Sequence, residues 1–199
     1  YDALPDIYNF LPGVEGLESS MRASNDFIIS LKSDNAEVDK LKYSVDGDTL
    51  NIIITPKSGK FASENMSTKQ AIGEYDLIFV LDSGDLEHLG RIYEENTEMF
   101  YSKPIVNIDH HVTNTGFGQL NLVDITAAST TSIVYEIIKE LEEDYKSFIG
   151  EDIATLLLTG LVVDTGSFQH TNTSPKALEL AADLIELGAR QQEIIQNVY

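Results

Sequence analysis

The stretch that most restricts what this chain can fold into is Lys103-Pro104-Ile105-Val106-Asn107-Ile108, which runs straight into Asp109-His110-His111. Ile105, Val106 and Ile108 form a short β-branched run of the kind that fills a buried strand. A strand that empties into a carboxylate and two adjacent imidazoles suits the ligand-facing edge of an α/β sheet. Such sheets bind their ligands outside the carboxyl ends of the strands. The chain has four histidines, and two of them stand side by side here. Taken alone, the stretch fits a metal or phosphate site and a polar loop equally well.

The surrounding pattern supplies the rest of the sheet. Leu77-Ile78-Phe79-Val80-Leu81 is a continuous apolar run, as expected of a parallel strand buried on both faces, and it ends at Asp82-Ser83-Gly84-Asp85. A helix is expected from about Leu86 to Asn96, then the 104–108 strand, a loop with Gly116 and Gly118, and a short strand from Leu120 to Val123. From Ser129 to Glu143, Ile133, Ile137, Ile138 and Leu141 recur at helical spacing, with Glu136, Glu140, Glu142 and Glu143 as a solvated face. Glu151 to Val163 is almost wholly apolar and reads as a buried helix, ending in Asp164-Thr165-Gly166-Ser167-Phe168. Ser174-Pro175 starts a helix with a cap residue and a first-turn proline; Leu178, Ala181, Leu184 and Ile185 form its apolar face, and Gly188 closes it. A last helix runs from Arg190 to about Val198. The expectation is an α/β domain: a doubly wound, mostly parallel sheet with helices on both faces.

The first third reads differently. Leu11-Pro12-Gly13 is a turn signal within an irregular opening stretch of some 25 residues. Phe27 to Leu31, Lys40 to Val45 and Leu50 to Thr55 are strand-like, with Asp46-Gly47 as a tight turn. They predict a small antiparallel β-meander inserted at about 26–60, without a catalytic cluster of its own.

Composition narrows the chemistry. There is no cysteine, so a metal must be held by Asp, Glu or His, ligands that suit hard or borderline divalent ions. A net charge of -20 argues against a duplex-binding protein, which would present a basic face. It leaves room for a small anionic substrate whose charge is met by bound cations. Neither a membrane-length apolar run nor a basic-then-apolar signal segment is evident, so the cytoplasm is the expected location. The chain opens on Tyr1 rather than methionine, as a processed, cut or partial sequence would.

Three element ends thus carry candidate ligands: Asp82, Asp109-His110-His111 and Asp164. Each acidic residue has a plainer use, Asp82 as a helix cap and Asp164 in the turn at Gly166. His88, next to Glu87, reads as a solvated helix residue, and His170, six residues after Asp164, as a loop histidine within reach of substrate. The repetition is what favours a shared metal site. A carboxylate shared between two ions is how two-metal phosphoester chemistry is assembled.

At this point the residues resemble a known family. Asn107-Ile108-Asp109-His110-His111 is similar to the name-giving motif of the DHH phosphoesterases, which include RecJ-like exonucleases, nanoRNases with 3′-phosphoadenosine-5′-phosphate phosphatase activity, cyclic-di-AMP phosphodiesterases and family II inorganic pyrophosphatases. Val80-Leu81-Asp82-Ser83-Gly84-Asp85 resembles the family's second motif. Gly160 to Phe168, followed by Asn172-Thr173-Ser174-Pro175, resembles its fourth, and Ser129-Thr130-Thr131 the segment between. Phe10-Leu11-Pro12-Gly13 is similar to a stretch that follows the first motif.

The resemblance implies a partial DHH catalytic domain over residues 1–199 and a site built for two Mn²⁺ ions, with Mg²⁺ as the substitute. In it Asp82 bridges the ions, His110 and Asp164 are ligands, Asp109 orients an imidazole, and His111 faces the substrate phosphate. Asp109 and His111 are therefore the catalytic candidates. Asn114, Thr165 and His170 join His111 on the substrate side, the first two also as residues that steady the loop. The family's first motif, a His followed by two Asp, is not found; Tyr1-Asp2-Ala3-Leu4 lacks the pattern and no histidine precedes His88. The family's C-terminal substrate-binding domain is not found either. This chain alone is therefore expected to bind metal incompletely and to turn over little.

The implied function is a metal-dependent phosphodiesterase or phosphatase acting on short oligonucleotides or small nucleotides. The alternatives are a family II inorganic pyrophosphatase and a non-catalytic nucleotide-binding module. Neither duplex nucleic acid nor a membrane is an expected partner, and a homodimer counts among the expectations.

Overall fold

The computed structural model describes residues 4–21, 23–34, 36–73 and 75–199. Tyr1-Asp2-Ala3, where the first motif was sought, lies outside the described residues. The chain divides into two compact units, residues 21–74 and the remainder.

The smaller unit holds four strands, β1 (Ala23–Leu31), β2 (Ala36–Asp46), β3 (Thr49–Gly59) and β4 (Met66–Ile72). The antiparallel insertion expected at 26–60 is present, with strands reaching from Ala23 to Ile72, and its order is nested rather than a meander. β2 pairs with β3 and β1 pairs with β4, so the chain runs out along one side of a ribbon and back along the other. The dipeptide Asp46-Gly47 sits at the tip, as its turn chemistry demands.

The larger unit is α/β. Its strands β5 (Ile78–Leu81), β6 (Ile105–Asp109) and β7 (Leu120–Val123) form a parallel sheet in the order β5-β6-β7. Its helices are α1 (Arg91–Glu94), α2 (Thr97–Ser102), α3 (Thr130–Leu141), α4 (Tyr145–Phe148), α5 (Glu151–Asp164), α6 (Pro175–Glu186) and α7 (Gln191–Val198). Among the described residues no helix is long and apolar enough to cross a membrane.

The core centres on α5. Ala154, Leu158 and Leu161 are fully buried and pack with Tyr135, Ala177, Leu184 and Ile194 from α3, α6 and α7. A second cluster joins Val80 and Ile105 to Ile92, Tyr93, Met99 and Phe100 of α1 and α2. The cap expected at Ser174 is in place, its hydroxyl accepting from the Ala177 amide with Pro175 in the first turn.

Four expectations need correction. β5 is covered on one face only, so alternate residues are buried: Val80 is buried while Phe79 and Leu81 are exposed. The helix expected over 86–96 is broken at Gly90, whose φ of 56° ends a 3₁₀ turn before α1 begins. On α3 the buried residues are Thr130 and Tyr135; of the expected face Ile138 packs against the core, and Leu141 is exposed. On α6 Ala181 and Leu184 are buried as expected, but their neighbours on the face are Ala177 and Leu180, while Leu178 and Ile185 face solvent.

The connection from β6 to β7 decides where function sits. Parallel neighbours need a crossover, usually a helix. Here it is the ten-residue loop 110–119, the loop that opens on His110-His111. The polar residues of the strand and loop brace it in place of a helix.

Candidate metal centre

Because β5 and β6 are parallel and adjacent, their C-terminal ends lie at the same edge of the sheet. The ladder continues one residue beyond β5, with the Asp82 amide donating to the Ile108 carbonyl at 3.0 Å. Asp82 then adopts φ 58°, a left-handed conformation that aspartate tolerates better than most residues. The turn leaves its side chain at the strand end, beside the first residues of the β6–β7 loop.

The site residues converge there. His110 Nε2 lies 3.6 Å from Asp82 Oδ1 and 3.7 Å from Asp164 Oδ2, and His111 Nδ1 lies 3.9 Å from Asp82 Oδ1. Ligands of one ion at bond lengths of ~2.1 Å stand about 3 Å apart when adjacent and about 4 Å apart when opposite. The two His110 spacings fall in that range. His110 Nδ1 meets the Ala127 carbonyl at 3.3 Å; a carbonyl only accepts, so the proton sits on Nδ1 and Nε2 keeps its lone pair for the gap between the carboxylates. The donor set of carboxylates and imidazole without thiolate therefore fits a hard or borderline divalent cation.

The electrostatics agree. Burial pushes the Asp164 carboxyl above the usual carboxylate range, and the nearby charge of Asp82 pushes it the same way. Two acids facing one imidazole leave negative charge that a cation would neutralise.

Asp109 plays a different part. It is fully buried, yet accepts from Asn114 Nδ2 at 2.6 Å, from the His110 amide at 2.8 Å and from His111 Nδ1 at 2.7 Å. Burial alone would raise its carboxyl; the hydrogen bonds outweigh it and hold the group below the usual range. The imidazole that Asp109 orients is thus that of His111. In return the carboxylate holds the His111 imidazole above its ordinary value.

Asn114 spends both ends of its amide on the loop. Nδ2 donates to Asp109 and to the Ser83 carbonyl at 3.1 Å, while Oδ1 accepts from Asn107 Nδ2 and the Gly116 amide. It steadies the loop and has no free group for substrate. Thr165, expected near substrate, is fully buried at the end of α5, its hydroxyl donating to the Leu161 carbonyl and accepting from the Phe168 amide. Its side chain is closed to solvent there. His170 donates from Nδ1 to the Asp164 carbonyl at 3.0 Å, with its ring against Gly166. His88 is solvated and paired with Asp85 at 2.6 Å.

Two contributors carried no role in the sequence reading. Thr130, buried at the start of α3, donates to Asp82 Oδ1 at 2.7 Å. Asn172 donates to the carbonyls of Ala128 and Asp164, tying the α3 entrance to the end of α5. Both lie in stretches that resemble family motifs, which is the one signal that singled out their neighbourhood. A separate groove of about 480 Å³ between α3 and α6, lined in part by Tyr135, Lys139, Lys176 and Asp183, includes none of the cluster residues.

The comparison with known families decides the affiliation: residues 8–161 match the DHH family, N-terminal domain. The chain belongs to the DHH family. Over 94 residues it is 40% identical to the bifunctional oligoribonuclease and PAP phosphatase NrnA of Thermus thermophilus, covering 47% of this chain and 28% of that relative. Over 96 residues it is 33% identical to the NrnA of Bacillus subtilis, covering 48% of this chain and 30% of the relative. The matches therefore span less than a third of the length of these relatives. Among solved structures, an exopolyphosphatase-related protein from Bacteroides fragilis superposes with a TM-score of 0.56 at 26% identity, over 63% of this chain and 36% of that one.

Proposed function

We propose that the Asp82–His110–Asp164 cluster is the metal centre of a phosphoesterase that hydrolyses short oligonucleotides or small nucleotides of the 3′-phosphoadenosine-5′-phosphate type. The observation that carries this reading is His110, whose Nε2 faces two carboxylate oxygens at 3.6 and 3.7 Å with its proton fixed on the other ring nitrogen. The names of the two NrnA relatives support the substrate class. The expected cofactor is Mn²⁺, with Mg²⁺ as the substitute.

When bound, the ions supply an activated water and counter-charge for the phosphoryl oxygens. The chain's own residues hold the frame. Thr130 fixes one oxygen of Asp82, the Ala127 carbonyl fixes the tautomer of His110, and Asp109 holds the Nδ1 proton of His111. That leaves the other nitrogen of His111, a half-exposed residue, to meet a phosphate oxygen. The acidic surface, at -20 overall, suits short substrates gripped by cations better than long nucleic acid.

Calorimetric titration of the chain with Mn²⁺, alongside Asp82→Ala and His110→Ala, tests the centre; binding that is unchanged in both variants overturns it. Hydrolysis assays on the complete gene product, offered a dinucleotide, 3′-phosphoadenosine-5′-phosphate and pyrophosphate, test the substrate. Cleavage of pyrophosphate alone would decide for a pyrophosphatase instead.

A further inference from the structure

The β2–β3 ribbon has two unlike faces. Cross-strand partners share a face and neighbours along a strand alternate. Leu41 pairs with Ile54, Tyr43 with Ile52 and Val45 with Leu50, so these six side chains form one uninterrupted apolar face. The other face carries Lys40, Lys42, Ser44 and Asp46 against Thr55, Ile53, Asn51 and Thr49. On the apolar face Leu41, Tyr43 and Val45 are 67%, 77% and 67% exposed, and Leu50 and Ile52 are 59% and 42% exposed. A two-stranded ribbon is marginally stable in water without a layer against its apolar side.

We infer that this face is a homodimer interface: two copies of the chain meet through the Leu41–Tyr43–Val45 and Leu50–Ile52–Ile54 faces of their ribbons, packed sheet on sheet. Charge narrows the choice of occupant, and the size of the face fits a second copy. Residues 21–74 hold seven Lys and Arg against eight Asp and Glu, net -1, which leaves -19 of the total -20 on the rest of the chain. Two copies repel one another through their larger units, and the ribbon is the region where they approach at little electrostatic cost. The same net charge disfavours an anionic membrane or a nucleic acid as the occupant, and the apolar face offers neither a cationic group.

Size is adequate as well. At the ~60–120 Å² implied by the transfer energy of one apolar side chain, six side chains present on the order of 500–600 Å² per copy. Two copies then bury about 1,200 Å² with their flanking backbone, the lower end of specific interfaces. Sheet-on-sheet packing of two such faces makes a two-layer core and completes each ribbon.

Sedimentation velocity and light scattering on the whole chain, from about 1 to 100 µM, test this. The expected result is a reversible dimer whose dissociation constant rises at least tenfold in Leu41→Glu and stays unchanged in Lys42→Glu, the adjacent residue on the opposite face. Far-UV circular dichroism confirms that both variants stay folded. A wild-type monomer at 100 µM overturns the inference. So does a dimer that ignores Leu41→Glu, or one that Lys42→Glu weakens equally.

Discussion

Thr130, at the first turn of α3, donates its hydroxyl to Asp82 Oδ1 at 2.7 Å, although the two are 48 residues apart in sequence. The bond joins the entrance of a helix to the end of β5 and fixes one carboxylate oxygen of the proposed centre. Residues that orient a metal ligand in this way typically alter affinity by 10–100-fold when removed. Thr130→Val is therefore expected to weaken Mn²⁺ binding by about tenfold, and Thr130→Ser to restore it. Titration calorimetry of both variants checks the pair, and equal loss in the two would point to packing rather than the hydroxyl.

Asn114 is expected to matter for stability before it matters for activity. Its removal strands the second oxygen of Asp109 and the Ser83 carbonyl, frees the exposed Gly116 amide to water, and leaves the Asn107 amide group with Asn121 alone. Each buried group left unpaired costs roughly 1–3 kcal/mol, reduced where water enters. Urea denaturation of Asn114→Ala should show a loss of about 2–4 kcal/mol; a loss below about 0.5 kcal/mol contradicts this account of the loop.

The Asp109–His111 pair predicts a pH window for the metal-free protein. Asp109 lies below its ordinary value, so its contribution is present above the carboxylate range and fades as pH falls. His111 lies above its ordinary value, so its contribution is complete below about pH 6.5 and is lost as pH rises through its folded value. The pair's contribution is greatest between about pH 4 and 6.5. NMR titration of His111 should show a midpoint above the ordinary value, and Asp109→Asn should lower it.

Gly166 opens a run of three left-handed residues, at φ 54°, 54° and 64° for Gly166, Ser167 and Phe168. A Cβ at Gly166 would clash with the His170 ring, which holds the Asp164 carbonyl. Gly166→Ala should cost upwards of about 1–2 kcal/mol from backbone conformation alone. It should also weaken Mn²⁺ binding by displacing His170. Normal metal binding in a destabilised Gly166→Ala would separate the turn from the site.

Leu158 is fully buried at the centre of α5. Leu158→Ala should cost about 2–5 kcal/mol by the ordinary cavity penalty. Thermal denaturation checks it, and Leu178→Ala on the exposed side of α6 is the matched control.

How much of this was readable in the sequence varies with the range of the interaction. The α5 helix, the β7 strand and the Ser174-Pro175 start follow from local patterns, and their bounds agree closely with the reading. Convergence of Asp82, His110, His111 and Asp164 followed from their repeated position at element ends. What escaped depends on partners distant in sequence. The part played by Thr130 is set by Asp82, 48 residues away just past the end of β5. The nesting of β1 with β4 escaped for the same reason: strand-like composition does not say which strand is the neighbour.

That nesting has a consequence for ancestry. The pairing of Ala23 with Ile72 brings the two ends of the insertion together at its root, like the jaws of a clasp. A segment whose ends already meet enters or leaves a host chain in one step and leaves only a short gap to close. Homologous chains should therefore carry the ribbon entire or lack it entire. Intermediate lengths, with the outer strands kept and the inner hairpin pared back, should be rare.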